Sequence, residues 1–191
     1  MQDRRGMRQR KTRTMIYFPS VTEVLSPWAD FSRIPPDVLD AAAKRGTAVH
    51  NACFAYAAGL PVIESSEITP YLDSFKRWFD LVVAEVILCE QRITDEAHGY
   101  HGEPDLVIKA KHNEVILIDV KTPVTKIKTW RIQLSAYKEL CEMFLGKQMD
   151  RVGSLRLSPE GKTAKMDYYD CHAQDFSIFL SSLNCYRYFK S

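Results

Sequence analysis

The chain has 191 residues, 46% of them hydrophobic and 26% charged, the composition of one compact domain large enough to bury a single core, which excludes a disordered or fibrous chain. The apolar stretches 115–118 and 81–88 are interrupted by acidic residues well before the roughly 18 to 20 residues that a membrane span requires, so no transmembrane anchor is expected. The net charge of +2 is uneven: Arg4, Arg5, Arg8, Arg10, Lys11 and Arg13 stand against Asp3 in residues 1–14, leaving 20 basic and 23 acidic residues for the rest.

Residues 1–14 read as a basic, solvated tail that could meet nucleic acid only through nonspecific phosphate contacts. They lack the apolar core of a secretory signal, so the chain is expected to stay in the cytoplasm where it is made. Cys53, Cys89, Cys141, Cys171 and Cys185 are odd in number and include no C-x-x-C pair. That spacing argues against a disulfide framework and against a zinc knuckle, and buried, reduced thiols are the expectation.

One domain is expected over residues 15–191, with no repeat or linker inside it. After the stop at Pro35-Pro36, Asp37 is a candidate N-cap for an Ala-rich helix over 38–58 that ends at Gly59 and carries His50. Leu72, Phe75 and Phe79 are spaced for the buried face of a second helix over 71–83. Three strands are predicted next, at 86–94, 102–108 and 115–121, with turns at His98-Gly99 and His112-Asn113, forming an antiparallel meander. A helix over 129–144 closing at Gly146, strands at 151–157 and 165–169 around a turn at 159–161, and a helix over 173–189 complete the chain. The fold class predicted from this order is α/β, mixed α+β, with a central mixed sheet flanked by helices, because each apolar face needs a cover.

In Val115-Ile-Leu-Ile-Asp-Val-Lys121, side chains alternate across the pleat, so Asp119 and Lys121 share one face at the charged end of an otherwise apolar strand. Gly102-Glu103-Pro104-Asp105 places a second carboxylate on the preceding strand, a hairpin neighbour that can bring Asp105 to Asp119. Two converging carboxylates are hard oxygen ligands for Mg²⁺ or Mn²⁺. The ion would polarise a phosphate and lower the pKa of water, while Lys121 orients the attacking water and offsets developing charge.

With Pro104-Asp105 and Asp119-Val120-Lys121 as its two-part signature, the chain resembles the PD-(D/E)XK nuclease superfamily. Within it the chain looks most like the branch of recombination helicase–nuclease domains, CRISPR-associated small exonucleases and phage exonucleases. Arg45-Gly46-Thr47-Ala48-Val49-His50 is similar to that branch's R-G-T-x-x-H motif, and Gln133 and Tyr137 to its Q-x-x-x-Y motif. Pro19-Ser-Val-Thr-Glu-Val-Leu25 is similar to the S-V-T-x-V-L entry of phage-type members, read here as structural or strand-guiding rather than catalytic. The likeness runs over about residues 18–140.

The resemblance implies a restriction-endonuclease-like αβββαβ core and a Mg²⁺- or Mn²⁺-dependent deoxyribonuclease, an exonuclease of recombination, repair or phage DNA processing. The alternatives are a structure-specific endonuclease or resolvase, and a catalytically silent DNA-binding module of the same fold. It implies metal ligation by His50, Asp105, Asp119 and the Val120 carbonyl, catalysis by these side chains with Lys121 and Glu90, and DNA contacts from Arg45, Arg131, Gln133 and Tyr137. DNA is the implied partner, and a single-strand annealing or other recombination protein is allowed as a second. No iron–sulfur cluster is expected, because Cys171 and Cys185 are far apart and lack a neighbouring third cysteine.

Overall fold

The computed structural model of the protein describes residues 17–123 and 125–190, so the basic segment 1–14 lies outside the described residues. Ser20 opens α1 (Val21–Leu25) with a capping box: its hydroxyl accepts from the Glu23 N–H at 3.1 Å, and the Glu23 carboxylate accepts from the Ser20 N–H at 2.7 Å. Two donors that a helix start leaves free are thereby satisfied. Val21 and Val24 are fully buried, so these two residues of the 19–25 motif serve the core.

Helix α2 (Pro36–Ala57) starts two residues earlier than expected, because Pro36 needs no N–H partner in the first turn. Asp37 is therefore not the cap; it sits in the first turn, where its charge complements the helix dipole. Helix α3 (Thr69–Val82) buries Leu72, Phe75 and Trp78.

The strands predicted at 86–94 and 102–108 each divide in two. The first becomes β1 (Val83–Cys89) and β2 (Ile93–Asp95), separated at Glu90, whose φ of +47° turns the chain. The second becomes β3 (Tyr100–Gly102) and β4 (Leu106–Ala110), separated at Glu103-Pro104-Asp105, where proline has no N–H for a ladder. β2 and β3 pair with each other around Gly99 (φ +71°), and β1 and β4 join the main sheet.

That sheet runs β1-β4-β5-β6-β7, with β5 (Val115–Lys121) at its centre, followed by β6 (Arg151–Arg156) and β7 (Lys165–Tyr168). It is mixed. β5 and β6 are parallel, joined through α4 (Thr129–Leu145), and the other neighbours are antiparallel. Helix α4 ends on Gly146 at φ +63°, a left-handed stop that glycine adopts without steric cost. Helix α5 (His172–Lys190) closes the chain.

Both faces of β5 are covered, which is why it reads as a continuous apolar run rather than an alternating one. Leu117 packs with α1, α4 and α5; Ile116, Ile118 and Val120 pack with α2 and α3. The cysteines are all free, and Cys53 and Cys141 are buried as expected. Cys171 and Cys185 are exposed, against expectation, because they lie at the start and on the outer surface of the last helical segment. Among the described residues no helix is long and apolar enough to cross a membrane.

Gly102 closes the β2–β3 hairpin against α4. A Cβ there would lie 2.7 Å from a Tyr137 ring carbon and 2.8 Å from Leu140 Cδ1. Gly102→Ala is expected to cost about 1–3 kcal/mol of stability by overpacking, measured as a lower urea midpoint at unchanged slope.

Candidate active site

The site forms where β5 leaves the cover of its two helical layers. Asp119 and Lys121 project from β5 on the side facing α4, the side that also takes Leu117. The pairing of Leu106 with Ile118 carries Asp105 to the level of Asp119, and the break before β4 lets its side chain reach back. Asp105 Oδ2 accepts the Val120 N–H at 2.7 Å.

Asp119 is 1% exposed. Its Oδ1 accepts from Gln133 Nε2 at 3.3 Å. Its Oδ2 lies 2.6 Å from Lys121 Nζ in an ion pair, yet at an angle that leaves this buried oxygen without an aligned hydrogen bond. Lys121 Nζ donates to Gln133 Oε1 at 3.3 Å and stands 5.6 Å from the Trp130 ring centroid, within cation–π range. The Gln133 amide thus has one sensible orientation, oxygen to ammonium and nitrogen to carboxylate, and its nitrogen also donates to Tyr137 Oη at 3.2 Å. Burial, with Asp119 nearby, pushes the Tyr137 phenol pKa up and keeps it protonated.

From the opposite face, α2 brings His50 to the same strand end. Its Nε2 is 3.0 Å from the Val120 oxygen, and because a carbonyl only accepts, the neutral ring carries its proton there. Nδ1 is then the basic atom, 3.9 Å from Asp105 Oδ1. Burial lowers the His50 pKa, so the imidazole is neutral at pH 7 and this contact is not an ion pair. Desolvation, then the neighbouring Asp119 charge, raises the Asp105 pKa well above the usual carboxylate range, against the opposing pull of Lys121.

Of the other expected residues, Glu90 and the Val120 carbonyl border the site, whereas Arg45 and Arg131 turn to acidic partners. Glu90 sits on the rim: its N–H donates to the Asp105 carbonyl at 3.1 Å, and partial burial with Glu103 raises its pKa against the influence of His50. Arg45 is turned toward Glu67, 3.8 Å away. Arg131 is held by both carboxylate oxygens of Asp175 on α5 at 2.9 Å, which ties α4 to α5 and draws it away from the carboxylates. The Val120 carbonyl, expected as a ligand, is engaged by His50. Trp130 and Glu103 were not singled out from sequence. Trp130 lies one helical turn before Gln133, a spacing that could have revealed it.

Among the described residues no three His, Cys, Asp or Glu side chains group closely enough to enclose an ion. The donor set still suits a hard divalent cation: two crowded carboxylates, one buried oxygen without an aligned donor, and a neutral imidazole. Mg²⁺ characteristically takes one or two carboxylates, with water and phosphate completing its shell.

No protein-family profile matches the chain, and no curated protein is similar to it in sequence. In three dimensions it is similar to the crystal structure of a "Putative exonuclease" from Eubacterium rectale, with a TM-score of 0.58 and 11% identity over 95% of this chain and 86% of that one. At that identity the likeness shows a shared fold alone: a mixed α/β sheet flanked by helices.

The raised Asp105 pKa has a stability consequence with a definite sign. Between the unfolded Asp value of about 3.9 and the higher folded value, the folded chain holds more protons, so stability falls as pH rises through that window. In EDTA, Asp105→Asn is expected to melt higher than the wild type at neutral pH, the gap closing as pH falls toward about 4. Thermal melts across that range check it.

Proposed function

We propose that the protein is a Mg²⁺- or Mn²⁺-dependent deoxyribonuclease that hydrolyses DNA phosphodiester bonds, working as an exonuclease. The observation that carries this reading is the meeting of Asp105, Asp119 and Lys121 at the end of β5, with Gln133 bridging the acid and the amine. The shared fold with a protein designated as an exonuclease supports it.

Asp105 and Asp119 would hold the ion with His50, whose Nδ1 is the free basic atom on their side. Bound there, a divalent cation supplies Lewis acidity to a phosphate oxygen and acidifies water. Lys121 orients the attacking water and offsets charge gathering on the phosphoryl oxygens. Gln133 positions Lys121: its Oε1 accepts from the ammonium while its Nε2 donates to Asp119, so one amide fixes the ion pair from both ends. Tyr137, held protonated, fixes the Gln133 amide in turn. Asp105 accepts the Val120 N–H and His50 donates to the Val120 carbonyl, so each of the two peptides that link Asp119 to Lys121 carries a side-chain hydrogen bond.

Asp119→Ala and Lys121→Ala are each expected to lower cleavage by about 10²–10³-fold, followed as release of label from end-labelled single- and double-stranded DNA with Mg²⁺ or Mn²⁺. Cleavage equal to wild type would overturn the reading. Gln133→Ala, which acts through Lys121, is expected to lose roughly 10–100-fold in cleavage.

A further inference from the structure

A cavity of 260 Å³ opens beside Lys121, on the side away from the carboxylates. One wall comes from α1 and the segment after it, with Thr22, Leu25 and Phe31; the other comes from the entry to α4, with Ile127 and Trp130. Leu25 and Trp130 are nearly buried and form the floor, whereas Phe31 and Ile127 are 41% and 38% exposed and flank the mouth. The lining contains one cation, Lys121, and no acid. Its volume lies just under the roughly 300–1,000 Å³ of pockets for drug-sized ligands, a size for one heterocycle.

Lys121 and Gln133 belong to both the cavity and the carboxylate cluster. The same ammonium touches Asp119 Oδ2 at 2.6 Å and faces the Trp130 ring at 5.6 Å. An anionic group at Lys121 would therefore have the carboxylates on one side and an apolar, aromatic recess on the other. That is the arrangement of a nucleotide: a phosphate joined to a flat, stackable ring.

Resting on the nuclease reading, we propose that this cavity is a nucleobase pocket that receives the base next to the scissile phosphate, which makes an unpaired DNA strand the substrate. An exposed aromatic beside a cationic site is how proteins hold single strands without reading sequence, since every base has a π face. A paired base would first have to leave its stack to enter. The capped helix α1, which takes no part in the chemistry, thereby acquires a role as the wall that carries Thr22 and Leu25 and leads to Phe31.

The test measures binding and cutting separately with the full chain. Binding is read as fluorescence anisotropy of a short labelled oligothymidylate with Ca²⁺ in place of Mg²⁺, beside the same strand made of abasic nucleotides and a blunt duplex. Phe31→Ala is expected to weaken oligothymidylate binding roughly 5- to 150-fold, Phe31→Trp to restore it, and Ile127→Asp, on the opposite wall, to repeat the loss. The abasic strand should bind wild type and Phe31→Ala alike, and so should the duplex. Equal wild-type affinity for the normal and abasic strands, or no effect of either wall variant in folded protein, overturns the pocket. Cutting with Mg²⁺ or Mn²⁺ separates the two readings. Cleavage that ignores Phe31 sinks the pocket and leaves the nuclease, whereas base-dependent binding without cleavage sinks the nuclease and leaves a single-strand site.

Discussion

Two carboxylates pressed together where little water can screen them are the constraint around which this molecule is arranged. Asp105 and Asp119 repel each other, and desolvation adds to the cost of charging both. Each neighbour answers part of that cost: the Val120 N–H on Asp105, the Lys121 ammonium and the Gln133 amide on Asp119. The compensation is incomplete, since one Asp119 oxygen lacks an aligned donor and Asp105 keeps a raised pKa. Two acids thus face one amine, and the proposed divalent cation would supply the missing positive charge.

The architecture supplies this arrangement through the covering of β5. With α2 and α3 on one face and α1, α4 and α5 on the other, the strand is apolar along its length, and polar groups gather only where the cover ends. Each layer then sends one polar residue to that end: His50 from α2 and Gln133 from α4. The two peptides that link Asp119 to Lys121 are each held by a side chain, Asp105 on the Val120 N–H and His50 on the Val120 carbonyl. Tyr137 can support Gln133 because Gly102 leaves room for its ring.

Residues far from the carboxylates are organised by the same packing. Arg131 illustrates how a residue close to the site in sequence can serve a different contact in space. Although only two positions before Gln133, it points along α4 toward Asp175 and fastens the last helix. A helical residue two positions away faces a different direction, so proximity in the chain carried no information about proximity in space.

Local pattern by itself determined a good deal here. The β5 strand and its charged end, the helices with their Gly59 and Gly146 stops, the mixed sheet, and the pairing of Asp119 with Lys121 and of Gln133 with Tyr137 all follow from periodicities of two and 3.6 residues and from turn chemistry. Tertiary structure decided what those periodicities do not encode. It split two predicted strands, because a positive φ at Glu90 and the missing N–H of Pro104 released their far halves into a separate hairpin. It turned His50 onto the Val120 carbonyl, drew Arg45 and Arg131 to acidic partners, and set α1 and the start of α4 as facing walls beside Lys121. These outcomes depend on which surfaces meet across long stretches of chain, and a linear pattern records only neighbours.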